Sequence, residues 1–209
     1  MVQTDNLIFQ YKKKEQSFKF PEINLNTEEN LLILGKSGIG KTTLLHLLAG
    51  LLKPVSGKVV IGDVDLNTLS HSKLDKFRGQ NIGLVFQKSH AVQSLNVIEN
   101  LKARLFFSGK LIDNTAITNL LEELNLGEVK NSKVNTLSEG QLQRLGIALA
   151  VIHNPQVILA DEPTSSLDDE HCNIVMKLLI NQAKRTKANL IVITHDNRIK
   201  PLFLNSITL

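Results

Sequence analysis

The chain has 209 residues, 42% apolar and 21% charged, with a formal net charge of +4. This ordinary globular usage excludes a disordered polymer and bounds the chain to one domain, or one domain with a subdomain, burying roughly 70% of its extended surface. A single cysteine, Cys172, excludes a disulfide framework and a multi-cysteine zinc site, and the longest apolar run, residues 147–152, falls far short of the ~18 residues that span a bilayer.

The N-terminal residues, MVQTDNLIFQYKKK, hold no apolar stretch of signal-peptide length, so a soluble chain not secreted by that route is expected. Lys12, Lys13 and Lys14 form the one dense basic run, read as a solvated loop in preference to a phosphate-backbone contact. With aromatics at 4% and no Trp, a stacking platform for single-stranded nucleic acid is not expected.

Residues 31–34 (LLIL) are continuously apolar and end at Gly35, which predicts a strand buried on both faces. Residues 42–52 follow as a helix apolar nearly all round. Strands are expected at 58–61 and 82–86, with no sheet assigned to them. Residues 88–155 hold no buried-strand pattern and read as a helical insertion. Within it Ala116, Ile117, Leu120, Leu121 and Leu124 recur at helical spacing with Gly127 as a stop, and a second helix covers 141–153. Residues 157–160 form a strand ending at Asp161. Asp168, Asp169 and Glu170 open a helix closing near Lys184 and Arg185, charges that suit the dipole at both ends. Residues 190–193 are a third buried strand, ending just before His195. Buried strands alternating with helices predict an α/β fold: a parallel sheet with its chemistry at the carboxyl edge.

Residues 35–43 read GKSGIGKTT, the pattern G-x-x-x-x-G-K-[ST] between a strand and a helix. Gly35, Gly38 and Gly40 let the backbone wrap so that N–H groups, including those at Ser37 and Thr43, face phosphate oxygens. The helix adds its positive end, Lys41 a point charge for the β- and γ-phosphates, and the Thr42 hydroxyl a ligand for Mg²⁺. Alone, this says nucleotide binding. Residues 157–163 read VILADEP. Asp161 at the strand end suits Mg²⁺, and Glu162 suits a general base for an attacking water; the plainer alternative is two acids capping the next helix. Ser138 and Gln141 form a capping box, S-x-x-Q, opening a helix whose N-terminus is an anion site.

Residues 137–144, LSEGQLQR, resemble the signature motif of ABC-type ATPases, and other motifs of that family follow in order across essentially the whole chain. Tyr11 matches the aromatic that stacks on adenine, Gln87 the Q-loop, Ser166-Leu167-Asp168 the D-loop and His195 the switch histidine. The resemblance implies a P-loop NTPase (RecA-like) core with a parallel sheet, an N-terminal antiparallel β subdomain and an inserted α-helical subdomain. Residues 1–209 would then be one ABC ATPase domain, with about 1–87 and 156–209 as catalytic core and about 88–155 as helical subdomain. It implies Mg²⁺-dependent hydrolysis of ATP between two head-to-tail subunits, a homodimer by preference. Ser138, Gly140 and Gln141 would reach the partner's ATP and Asp168 would contribute to nucleotide binding. Gln87 would sense the metal and the water, and His195 would hold the γ-phosphate. It further implies a separate transmembrane permease as partner, no nucleic acid, and a peripheral location on the inner face of the cell membrane through that partner.

The family commonly has Gly where Glu139 stands, and many relatives have arginine where Leu149 stands. Glu139 is expected to point away from the γ-phosphate. The short stretch between Lys41 and Ser138 leaves no room for the coiled coil of DNA-repair relatives, and one unit per chain is unlike the translation type. A soluble Fe–S assembly ATPase stands as the alternative. Residues 77–87 and 159–164 look like the lipoprotein-release, macrolide-export and cell-division ATPases, and residues 88–101 match the region that contacts the partner's cytoplasmic helix.

Overall fold

The computed structural model describes residues 1–11, 17–87, 90–165 and 167–209. The basic run Lys12–Lys14, Lys88 at the head of the partner-contact segment and Ser166 of the D-loop match lie outside the described residues.

Two sheets share the core. The N-terminal sheet pairs β1 (Val2–Gln10) with β2 (Ser17–Lys19), β3 (Asn24–Leu25) and β5 (Ser56–Ile61), and β5 with β6 (Val64–Asp65), all antiparallel. The strand expected at 58–61 therefore belongs here and not to the parallel sheet. Its partner β1 shifts register between Asp5 and Ile8, where Asn6 turns left-handed (φ 45°) and packs against Gly57.

The parallel sheet has the order β10-β4-β9-β8-β7, with β4 at Asn30–Leu34, β7 at Ile82–Val85, β8 at Val157–Asp161, β9 at Asn189–Thr194 and β10 at Asn205–Thr208. Its inner strands are continuously apolar at 31–34, 157–160 and 190–193 because both faces are covered there. Leu32, Leu34, Ile158, Ala160, Leu190 and Val192 face one core cluster. The alternate residues Leu31, Ile33, Val157, Leu159, Ile191 and Ile193 face the other. That is the period of two expected of a strand.

Six helices are described. α1 (Lys41–Leu48) is shorter than the 42–52 expected, because the chain turns left-handed at Gly50 (φ 63°) and Leu51 N–H and Leu52 N–H return to the His46 carbonyl. α2 (His71–Asn81) buries none of its residues fully and has too short an apolar stripe to predict it. α3 (Val97–Phe107), α4 (Asn114–Glu123) and α5 (Glu139–Val151) lie between β7 and β8 in the chain, as the helical insertion required. α4 stops at Asn125, which takes the left-handed conformation (φ 52°), and not at Gly127. α6 runs Asp169–Thr186 with Asp168 as N-cap and basic residues in its last turn.

Register places the functional loops. Leu34 pairs with Thr194, Asp161 with Ile193 and Val85 with Ala160. The segments leaving β4, β9, β8 and β7 therefore emerge side by side at one sheet edge, the carboxyl ends where α/β folds bind ligands.

Candidate functional site

The loop after β4 turns twice into the left-handed region, at Gly38 (φ 82°) and Gly40 (φ 108°). At Gly40 a side chain is barred on two counts: the conformation, and a Cβ position only 2.8 Å from Phe18 Cδ1. Lys41 opens α1 and is almost fully buried. Its Nζ donates to the carbonyls of Gly35 (2.8 Å) and Lys36 (3.1 Å) and lies 3.4 Å from Glu162 Oε1. The ammonium is thus held in the mouth of the loop by the loop's own backbone. The Tyr11 and Thr43 hydroxyls share a 3.0 Å hydrogen bond, and the Tyr11 ring meets Phe9 and Phe18 edge-on. Phe18 has no motif to announce it; it becomes a wall of the site through strand pairing alone.

Thr42 Oγ donates to Asp161 Oδ2 at 3.0 Å, across the gap between α1 and β8. Asp161 Oδ1 is buried with no hydrogen-bond partner among the described residues. Burial pushes the Asp161 carboxyl above the usual carboxylate range, against the Thr42 hydrogen bond that lowers it. A buried carboxylate oxygen without a partner, beside a hydroxyl, is an all-oxygen donor set that fits a hard divalent cation.

Glu162 follows directly, in the left-handed region (φ 50°), a conformation costing of order 1–3 kcal/mol for a residue with a side chain. It is held from several sides. Its N–H donates to the Ile193 carbonyl (2.8 Å). Its carboxylate accepts from Thr194 Oγ (2.7 Å), His195 Nδ1 (3.0 Å) and His195 N–H (3.4 Å). Partial burial pushes this carboxyl up, but the hydrogen bonds from His195 and Thr194 and the His195 charge outweigh it, and the group sits below its ordinary value. An ionised Glu162 can only accept, so His195 Nδ1 donates in that pair, and Nε2 can donate to a phosphate oxygen only when the ring is the doubly protonated imidazolium.

Gln87, just past β7, donates from Nε2 to Ser165 Oγ at 3.0 Å. Thr194 and Ser165 were not singled out by sequence reasoning. Each is a hydroxyl at a strand exit or turn, and only the tertiary approach of β7, β8 and β9 shows what it holds.

Tyr11, Ser37, Gly38, Gly40, Lys41, Thr42, Thr43, Gln87, Glu162 and His195 line one cleft of about 790 Å³. Asp161 bonds Thr42 beside it, and Gly35 contributes its carbonyl to Lys41. Ser138, Gly140, Gln141 and Asp168 do not line it. Ser138 and Gln141 form the reciprocal capping box of α5: Gln141 N–H donates to Ser138 Oγ (3.3 Å) and Ser138 N–H to Gln141 Oε1 (2.9 Å). Gly140 sits in the first turn of that helix. Asp168 caps α6, accepting from the His171 N–H at 2.8 Å. From α5, Gln143 donates to the Pro163 carbonyl just past Glu162.

Comparison with known proteins bears on the family and the fold. The ABC transporter family model matches residues 19–165. The lipoprotein-releasing system ATP-binding protein LolD of Legionella pneumophila (strain Lens) is 34% identical over 180 residues, covering 85% of this chain and 79% of its own. The LolD of Buchnera aphidicola subsp. Schizaphis graminum is 34% identical over 192 residues, covering 90% and 84%. Among solved structures, the ATP-binding cassette MJ0796, dimeric in a post-hydrolysis state with ADP and Pi, superposes with a TM-score of 0.88 at 32% identity, covering all of this chain and 94% of its own. A family model that matches most of the chain, and relatives and solved cassettes of this fold at about a third identity, show that the chain belongs to the ABC transporter family, as an ATP-binding subunit.

Proposed function

We propose that the chain hydrolyses ATP in a Mg²⁺-dependent reaction, with Glu162 as general base, as the motor of a two-subunit sandwich that drives a separate membrane permease. The observation that carries this is the Glu162 carboxylate, held ionised between Lys41 and His195 next to the Thr42–Asp161 pair. Each residue then has one task. The Gly38–Gly40 backbone and Lys41 bind the β- and γ-phosphates, and Tyr11 offers its ring to the adenine. Phosphate oxygens compete with Glu162 for Lys41 Nζ, so nucleotide binding itself releases the base. Glu162 accepts a proton from the attacking water, whose oxygen bonds the γ-phosphorus as the bond to the β–γ bridging oxygen breaks. Glu162 is turned toward that water by Thr194 and His195, and His195 Nε2 holds the γ-phosphate. Gln87 would orient the attacking water. Thr42 and Asp161, with Gln87 nearby, would hold Mg²⁺, which would supply charge neutralisation to the phosphates.

Ser138, Gly140 and Gln141 lie away from the cleft because, on this reading, they serve the ATP of a second copy, and Asp168 reaches that interface likewise. Residues 88–155 act as the helical subdomain and the remainder as catalytic core. An apolar groove of about 470 Å³, walled by Leu84, Phe86, Val92, Ala103, Phe107 and Leu149 with Arg78 and Asp75 at its rim, is where the permease would seat a cytoplasmic helix. That contact would place the chain at the inner face of the membrane; no helix among the described residues is long and apolar enough to cross one. The LolD relatives favour a lipoprotein-releasing type of complex over the soluble Fe–S alternative.

The test is Glu162→Gln, tagged and expressed in the native host, with membranes solubilised gently in ATP and Mg²⁺. Hydrolysis should fall by about 10²-fold or more while ATP binding persists. An ATP-bound dimer should co-purify with a membrane protein of few spanning helices. Turnover like the wild type removes Glu162 as the base. Recovery with cytosolic factors alone removes the permease.

A further inference from the structure

Past the switch histidine, Asp196 and Arg198 form a cluster in which none of the cleft's own residues takes part. Asp196 Oδ2 accepts from the buried Thr164 hydroxyl at 3.0 Å, and Thr164 lies two residues beyond Glu162. Arg198 Nε donates to Asp196 Oδ1 at 2.9 Å, and Nη2 donates to Asp196 Oδ2 at 2.8 Å. The same Nη2 reaches the Leu167 carbonyl at 3.1 Å, and Nη1 pairs with Asp169, the first residue of α6, at 2.5 Å. One guanidinium therefore joins the strand exit that carries His195 to the loop that carries Asp168.

We propose that Arg198 is a positioning residue, a brace that makes the His195 segment and the Leu167–Asp168 loop move as one piece. Resting on the proposed function, in which that loop meets the second subunit, the brace carries the state of the subunit interface to the imidazole that holds Glu162. The Asp196 carboxylate is 9% exposed, so its pair with Arg198 also serves local structure. The Asp169 partner is 86% exposed and adds little to stability, so stability alone does not account for the tie to the start of α6. What the pairs supply is geometry. Only a planar fork with several donors can hold a carboxylate, a second carboxylate and a carbonyl together; a lysine ammonium on a flexible stem cannot copy that.

The test is steady-state ATP hydrolysis by the full-length chain with Mg²⁺, comparing wild type, Arg198→Ala, Arg198→Lys and Asp169→Asn. Arg198 lies outside the nucleotide cleft, so KM for ATP should stay within about twofold in every variant. For Arg198→Ala, kcat should fall at least about threefold, within the range for residues that couple sites without touching ligand. Arg198→Lys should stay nearer to alanine than to wild type. Asp169→Asn loses one of the three ties and should lie between. It changes only an exposed carboxyl, so it decides the matter if Arg198→Ala does not fold. A kcat unchanged in Arg198→Ala, a KM that rises in step with any loss, or full restoration by lysine would each overturn the brace. Glu162→Gln run alongside separates the two ideas. If it abolishes turnover while Arg198→Ala does not reduce it, the brace alone is wrong; if it turns over normally, the reading beneath it is wrong.

Discussion

Thr194→Val probes the most buried contact of the proposed base. Thr194 is fully buried at the end of β9, and its hydroxyl does two things: it donates to Glu162 Oε2 at 2.7 Å and accepts from the Asp196 N–H at 3.0 Å. Valine keeps the branching, so the loss is of hydrogen bonding and not of volume. A hydrogen bond to a charged group is worth about 1.5–3 kcal/mol, and the Glu162 side chain is only 15% exposed, so screening by solvent is slight. The Thr194 hydrogen bond is one of the causes that hold the Glu162 carboxyl below its ordinary value, so losing it should raise the carboxyl. Two measurements follow. By urea unfolding at pH 7.5 the variant should lose about 2 kcal/mol, or roughly 4–8 °C in Tm. The acid limb of kcat/KM should move to higher pH. The sign is set by the depressed folded value: Glu162 contributes stability above its ordinary 4.5, and that contribution is lost as pH falls through the lower folded value. The stability difference between wild type and variant should therefore shrink in acid. An acid limb that does not move, with stability unchanged at pH 7.5, would refute the claim that Thr194 holds an ionised Glu162.

Two further outcomes are expected. Glu139 is exposed in the first turn of α5, where a carboxylate suits the helix dipole, so Glu139→Gly should leave ATP hydrolysis within about twofold; a large rise would mean the carboxylate faces the γ-phosphate. His153 is buried with its Nε2 2.8 Å from Arg104 Nη2, and a guanidinium only donates, so the ring accepts and is neutral. Burial, then the Arg104 charge, push it down to about 3. The unfolded chain takes up this proton below pH 6.5 and the folded chain does not until about pH 3, so stability is lost across that window as pH falls. His153→Gln keeps an acceptor for Arg104 and does not titrate, so the drop in unfolding free energy between pH 7 and pH 5 should be about 2 kcal/mol smaller in the variant. An equal drop in both would show that the ring is protonated in the folded state.

What was legible in the sequence is what burial and backbone chemistry dictate locally. Residues 31–34, 157–160 and 190–193 are apolar without alternation, and each became a strand covered on both faces. GKSGIGKTT needs its glycines where φ is positive, at 38 and 40. Ser138 and Gln141 close a capping box that depends on nothing distant. The failures share a cause. α2 offers the core only Leu74 and Phe77, each partly buried, too short an apolar stripe to mark it as a helix. β5 looks like any short strand, and only its pairing with β1 assigns it to the antiparallel sheet. Asn125 ends α4 in a conformation usually left to glycine, so a search for the nearest glycine overshoots to Gly127.

The site shows the same division. Lys41, Thr42, Asp161, Glu162 and His195 were found by type and motif, and strand register brings them together, since Leu34, Asp161 and Thr194 end neighbouring strands. Ser138, Gly140, Gln141 and Asp168 were found by the same means and are not brought there. A motif records which residues act on a ligand, without recording which copy of the chain holds that ligand. The capped N-terminus of α5 would, on the proposed reading, serve a phosphate outside its own chain's cleft, which is lined by other residues. A chain that carries both halves of a phosphate site on separate surfaces completes neither alone. On the proposed reading, two copies placed head to tail would complete both, and each site would then close only when its neighbour is present. That dependence would let the binding and hydrolysis of ATP move one subunit against the other.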